Sequence, residues 1–160
     1  MVTYPGPKLV YVHLIVPHSP YVFLPDGSYD RNHGEGIDEN DLGRKTTRGY
    51  INNVEFINNR MKVLIDDILR NSKEPPIILL QADHSLAPDF DDRRFNILNA
   101  YYLPDGGEGI LYPTITPVNS FRIIFNQYFG TKFPLIEDKS ITSDLGHPYS
   151  TIEARVTSCP

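Results

Sequence analysis

A chain of 160 residues falls in the size range of one domain, and 40% hydrophobic with 22% charged residues is the composition of an ordinary globular protein. A net charge of -5, a pI near 5.4 and the lack of any Lys/Arg block argue against a nucleic-acid partner, which requires a basic face. The single cysteine, Cys159, excludes an intrachain disulfide and a thiolate zinc site, and a place beside the chain end makes it a poor catalytic thiol.

Residues 8–16 (Lys-Leu-Val-Tyr-Val-His-Leu-Ile-Val) are β-branched and aromatic and stop at Pro17, so they read as the first strand. Continuous apolarity implies burial on both faces, as in a parallel sheet. The run is far short of the roughly 20 residues that cross a bilayer, and it lacks the flanks of a signal peptide. Residues 17–46 are rich in Pro, Gly, Asp and Asn and form a long loop after the strand end, where such loops are usually functional.

The clearest helix covers residues 47–71. Tyr50, Val54, Ile57, Met61, Leu64, Ile65 and Ile68 recur at three- and four-residue spacing, Thr46 or Thr47 caps the start, and Pro75 forbids continuation. Residues 76–82 form a second strand, again apolar and β-branched. Strand, crossover and strand make a right-handed βαβ unit with parallel strands. A polar loop at 83–93 leads to a third strand at 95–103, and Asp105-Gly106-Gly107-Glu108-Gly109 reads as a flexible turn rather than a phosphate loop. Pro117 opens a helix that runs to Gly130, with Val118, Phe121, Ile124, Phe125 and Tyr128 as its apolar face. Residues 131–160 carry three prolines and little periodicity and read as an irregular tail.

The residues most able to carry chemistry follow the second strand, in Gln81-Ala82-Asp83-His84. A carboxylate and an imidazole at the C-terminal end of a buried parallel strand lie where open α/β sheets place ligands. Both are good donors to a divalent metal such as Zn or Mn, although a plain strand-end turn uses the same residues. His18, in Val16-Pro17-His18-Ser19-Pro20-Tyr21, follows the first strand in the same way, so parallel strands bring it to the same sheet edge. There it can donate to a phosphate or sulfate oxygen, or it can simply serve turn geometry between two prolines.

The other histidines are weaker candidates. His13 reads as a core or sheet-face residue, His33 as an exposed loop residue, and His147 as part of a turn. Asp89, Asp91 and Asp92 lack the Gly and terminal Glu of an EF-hand loop. Arg93-Arg94 either balances those acids or faces an anionic substrate. No nucleophile elbow and no Walker loop is present, and no base is evident for Ser85.

Four stretches together resemble the sulfatase-like branch of the alkaline phosphatase superfamily, which includes sulfatases, lipoteichoic acid synthases and phosphoethanolamine transferases. They are Tyr11-Val12-His13-Leu14-Ile15-Val16-Pro17-His18-Ser19-Pro20-Tyr21, Ile77-Ile78-Leu79-Leu80-Gln81-Ala82-Asp83-His84, Asn96-Ile97-Leu98-Asn99-Ala100-Tyr101-Tyr102-Leu103-Pro104, and Pro113-Thr114-Ile115-Thr116-Pro117-Val118-Asn119-Ser120-Phe121-Arg122.

The resemblance implies a three-layer α/β/α sandwich with a mostly parallel sheet, present as one partial domain over residues 1–160. It implies metal-dependent attack on a sulfate or phosphate ester. Asp83 and His84 are then metal ligands for Mn, Zn, Ca or Mg, and His18 contacts the substrate anion. Relatives of this branch are often anchored to membranes with the domain outside the cytoplasm. Two departures are visible. Ser85 stands where the family has Gly after Asp-His, and the half that carries the nucleophile and the first acidic ligands has no counterpart here. The chain is therefore expected to be the C-terminal part of such an enzyme, inactive alone and able to self-associate through the surface the other half would cover. The alternative is a non-catalytic anion-binding or protein-interaction module.

Overall fold

A computed structural model describes residues 5–31, 42–86, 92–143 and 146–154, with side chains of the long helix described from residue 47. The chain divides into two compact units, Met1–Glu74 and Pro75–Pro160.

The first unit is built on helix α1, Leu42–Asn71. Its start lies five residues before the expected one, so Thr46 and Thr47 are inside the helix rather than at its cap. Residues 21–30 form a small hairpin against it. Phe23 and Tyr29 make an antiparallel bridge, and Leu24 N–H bonds to Ser28 O at 2.9 Å. The Asp26 carboxylate turns the tip by accepting from Ser28 N–H and Oγ–H, and these bonds hold it below the usual carboxylate range. Gly27 completes the turn at φ 87, where a Cβ would also meet the Phe56 ring at 2.8 Å.

Aromatic rings hold the hairpin to the helix. Phe23 stacks on Phe56 with centroids 4.6 Å apart, and Tyr21 meets Tyr50 edge-on at 6.1 Å. Asn53, buried between them, donates Nδ2–H to Phe23 O and Gly49 O. The expected apolar stripe of α1 is only half-buried, and Leu64 within it is exposed.

The second unit contains β1 (Ile78–Gln81), β2 (Asn99–Tyr102), α2 (Pro117–Phe129), β3 (Ile141–Thr142) and β4 (Ile152–Glu153). Short 3-10 turns stand at Asp92–Phe95 and Gly107–Ile110. β1 pairs antiparallel with β2 in the register Leu80 to Ala100, and β3 pairs antiparallel with β4. The core is Leu103, Ile123 and Ile124, with Leu79, Tyr101, Ile110, Leu111, Ile115 and Tyr128 against it. Pro117 begins α2 as expected, and Gly130 ends it at φ 66.

The three-layer α/β/α sandwich with a mostly parallel sheet is not formed. The described residues hold two α-helices and two small antiparallel sheets. Residues 8–16 do not form the expected strand: 8–15 carry no regular secondary structure, Val16 lies in a turn, and among the described residues no strand is paired with them. His13 is accordingly exposed rather than in a core or on a sheet face. The strand expected at 76–82 shortens to Ile78–Gln81, and that at 95–103 to Asn99–Tyr102 after a 3-10 turn.

The face of α2 is also rotated from the expected one. Asn119, Ser120, Ile123 and Ile124 are buried, whereas Val118, Phe121 and Phe125 are exposed. The cause is the segment 131–138, read from sequence as irregular tail. It is tied along α2 by side chains three and four residues apart. Asn126 Nδ2 donates to Phe133 O and its Oδ1 accepts from Phe133 N–H, both at 2.8 Å. Asn119 does the same to Ile136 O and N–H at 2.7 and 3.1 Å. Arg122 reaches Pro134 O at 3.0 Å. Two asparagine amides thus stand in for the peptide groups of a neighbouring strand.

Gly107 is buried where β2 turns toward α2. A Cβ there would overlap Tyr128 Oη and lie 2.8 Å from Leu103 Cβ. Tyr128 is fixed by its bond to Pro104 O at 2.6 Å. Gly107→Ala is therefore expected to destabilise the unit by about 2–3 kcal/mol through overpacking, read as a lower urea midpoint at unchanged slope. An unchanged midpoint would show that this corner yields freely.

No helix among the described residues is long and apolar enough to cross a membrane.

Candidate functional site

The Asp83-His84 turn leaves the end of β1. Ala82 N–H still bonds to Leu98 O at 2.9 Å, so the antiparallel ladder reaches one residue beyond the strand. From below, Gln81 Nε2 donates to Asn99 Oδ1 at 2.9 Å and to the buried Ser120 Oγ at 3.2 Å. Tyr101 Oη and Ser120 Oγ share a bond of 2.6 Å. The strand end is thereby fixed to the first turns of α2.

After the turn, Ser85 N–H donates to Arg94 O and Ser85 Oγ–H to Arg93 O, both at 2.8 Å. These bonds hold the backbone of Arg93 and Arg94 beside Asp83-His84. Ser85, the departure from the resembled family, thus closes the loop with its hydroxyl, which a glycine has no atom to do.

Within the turn, Asp83 Oδ1 accepts from the N–H of the next residue, His84, at 2.9 Å. His84 Nδ1 lies 2.8 Å from Ser85 O. A carbonyl only accepts, so Nδ1 carries the hydrogen and the neutral ring presents its lone pair at Nε2. Nε2 and Asp83 Oδ2 are 3.7 Å apart, with Asp83 well exposed and His84 38% exposed. In a tetrahedral centre with bonds of about 2.0–2.1 Å, neighbouring donor atoms lie about 3.4 Å apart. The pair needs little movement to share one cation. A second-shell carbonyl on Nδ1–H is also the usual orienting partner of a ligating histidine. Among the described residues no group of three or more His, Cys, Asp or Glu converges on one point, so this pair supplies only part of a metal shell.

His18 uses the same local device. Its N–H bonds to Ile15 O at 2.7 Å and its Nδ1 pairs with Ser19 O, in a turn flanked by cis Val16-Pro17 and Ser19-Pro20 bonds. The side chain is exposed. With Nδ1–H committed, His18 donates from Nε2 to an anion only when doubly protonated. The expectation that parallel strands bring His18 to the sheet edge of Asp83-His84 falls with those strands. His18 belongs to the first unit and Asp83-His84 to the second.

His147 sits in an exposed turn closed by Ser150 N–H to His147 O at 2.9 Å. Asp92 opens the Asp92–Phe95 turn, whereas Asp89, Asp91, His33 and Cys159 lie outside the described residues.

A second polar cluster was not foreseen. Asp138 Oδ1 accepts from Thr116 N–H at 2.8 Å and Thr116 Oγ1–H at 2.7 Å, and Oδ2 from Tyr112 Oη–H at 2.6 Å. Asn119, fully buried, donates to Tyr112 Oη at 3.1 Å. Burial works to raise the Asp138 carboxyl, but the hydrogen bonds from Tyr112 and Thr116, with the Asn119 amide nearby, outweigh it and hold the group below its ordinary value. Burial, then the bond to Asp138, pushes the Tyr112 phenol up to about 12. Every polar atom of the cluster serves its neighbours, so it is a clasp rather than a reactive centre. The only sequence sign of it is Thr116-Pro117-Val118-Asn119 at a helix start, which does not reveal Asp138 as the partner.

Comparison with models of protein families, with curated proteins and with solved structures finds no match to this chain.

Proposed function

We propose that this chain holds part of a metal-dependent centre acting on sulfate or phosphate esters, as in the sulfatase-like hydrolases and transferases that its motifs resemble. Asp83 and His84 are two of the ligands, and the remaining ligands and the nucleophile come from outside the chain. The observation that carries this reading is the pairing of Asp83 Oδ2 and His84 Nε2 at 3.7 Å, with Nδ1–H fixed on Ser85 O. The support lies in this turn and does not depend on a parallel sheet. A divalent cation there, Mn, Zn, Ca or Mg, would polarise ester oxygens and favour an oxygen nucleophile. Arg93 and Arg94, held next to the turn, suit an anionic ester.

The test is titration of the intact chain with Mn²⁺, followed by the paramagnetic signal of the free ion. One weak site is expected, lost in Asp83→Ala and in His84→Ala. Aryl sulfates and phosphodiesters should remain uncleaved. Equal Mn²⁺ binding by wild type and Asp83→Ala would remove the proposed ligands. Metal-dependent turnover by the chain alone, lost in Asp83→Ala, would contradict the division of the site.

One observation favours the second reading, a non-catalytic binding or interaction module. Among the described residues three large apolar side chains are buried, whereas twenty-five are exposed. Apolar exposure of this extent suits coverage by another polypeptide where the residues are contiguous, as over Leu9–Val12.

A further inference from the structure

Ser85, half-buried, makes three hydrogen bonds through three different atoms. Its N–H donates to Arg94 O and its Oγ–H to Arg93 O, both at 2.8 Å, and its carbonyl accepts from His84 Nδ1–H at 2.8 Å. A single N–H bond to a carbonyl is a pivot, free to rotate about its own axis. Two bonds from one residue to consecutive carbonyls are a clamp, because the hydroxyl fixes the rotation that the N–H leaves open. What the clamp grips is itself ordered. Arg93 and Arg94 lie in the Asp92–Phe95 3-10 turn, and Asn96 N–H bonds to Arg93 O at 3.0 Å. At its other end the Asp83-His84 turn is tied by Ala82 N–H to Leu98 O.

The pair needs such an anchor because its two members compete for one proton position. His84 Nε2 lies 3.7 Å from Asp83 Oδ2. With its hydrogen on Nε2, the ring would donate to that carboxylate, and a bond to an ionised acceptor is stronger than one to a neutral carbonyl. The pair would then close on itself. Nε2 would have no lone pair to give, and one oxygen of Asp83 would be engaged. The Ser85 carbonyl opposes this closure by holding the hydrogen at Nδ1.

We propose that Ser85 is the positioning residue of this pair: its clamp on Arg93 and Arg94 keeps the Ser85 carbonyl on His84 Nδ1 and so sets the tautomer that offers Nε2 to a cation. The value of that tautomer rests on the metal-binding role proposed above, whereas the tautomer itself is readable with no cation present.

Nitrogen NMR of the His84 ring in the intact, metal-free chain, at a pH where the imidazole is neutral, should show the Nδ1–H form. Ser85→Ala keeps the backbone N–H and carbonyl but has no hydroxyl, and its ring should shift toward the Nε2–H form. Ser85→Thr restores a hydroxyl and should return the wild-type tautomer. Mn²⁺ binding should be about tenfold weaker in Ser85→Ala than in wild type or Ser85→Thr, the low end of what an outer partner of a ligating histidine contributes. Helical circular dichroism should be the same in all three chains. One tautomer shared by wild type and Ser85→Ala would overturn the proposal, and so would equal Mn²⁺ affinity in those two chains. A wild type that binds no Mn²⁺ removes the metal reading instead. The ring measurement then decides the positioning role by itself, a switch in Ser85→Ala supporting it and no switch overturning it.

Discussion

Replacing Asn119 with alanine is expected to lower the unfolding free energy of the second unit by about 3 kcal/mol, among the largest single losses in the chain. The side chain is fully buried and makes three hydrogen bonds, to Ile136 O, Ile136 N–H and Tyr112 Oη. Alanine removes all three and leaves a sealed space where the amide stood. The donor and acceptor of Ile136 lose their partners, at about 1–3 kcal/mol for each such group that water does not reach. Asn126 is the internal control. It makes the same double bond to Phe133, but Asn126 is itself only half-buried and both bonds are exposed, so water replaces the amide. Asn126→Ala should therefore cost only about 1 kcal/mol. Thermal unfolding of the two variants distinguishes them: about 10–20 °C is expected for the first and about 5 °C for the second. Equal shifts would mean that burial does not set the difference.

Asp138→Ala is the second large loss, about 2–3 kcal/mol at neutral pH. Its carboxylate is the common acceptor for the Thr116 N–H, the Thr116 hydroxyl and the Tyr112 hydroxyl. It also lies at the start of α2, where the helix dipole favours negative charge. The clasp should show itself in the pH dependence. Asp138 has a lowered carboxyl value in the folded chain, so the unfolded chain binds more protons on the acid side. Its contribution is complete above the unfolded value of about 4 and is lost as pH falls through the lower folded value.

Tyr112 gives the opposite limb. Its phenol is raised to about 12 when folded, so the folded chain binds more protons on the alkaline side. That contribution is complete below about 10 and is lost as pH rises toward about 12. Asp138→Asn keeps an oxygen for Thr116 while abolishing the acid titration. Urea unfolding at several pH values should show a flattened acid limb in Asp138→Asn. An acid limb as steep as that of wild type would assign the acid sensitivity to other carboxylates.

These residues show where sequence reading stops. Helix α2 is written locally: Pro117 at its first position, apolar residues at helical spacing and Gly130 past its end are all near in sequence. Helix α1 is equally legible over most of its length, and its start was missed because neither Thr46 nor Thr47 serves as its cap. Which face of α2 is buried was not legible. Periodicity assumes that burial follows hydrophobicity. Here Asn119 and Ser120 are inside and Phe121 and Phe125 outside, because Asn119 pairs with backbone seventeen residues away and Ser120 joins Gln81 and Tyr101.

The strands divide in the same way. An apolar β-branched run states that residues 8–16 and 77–81 can extend, and nothing in it names a partner or a direction. β1 meets β2 antiparallel, and residues 8–16 pair with no strand among the described residues. A ladder exists only where two backbones lie side by side, so it is a property of the tertiary arrangement. The Asp83-His84 pair is the reverse case. Adjacent residues share a turn in any fold that bends there, so the candidate ligands were visible in the sequence. The tautomer that frees His84 Nε2 was not, because it depends on where the Ser85 carbonyl comes to rest.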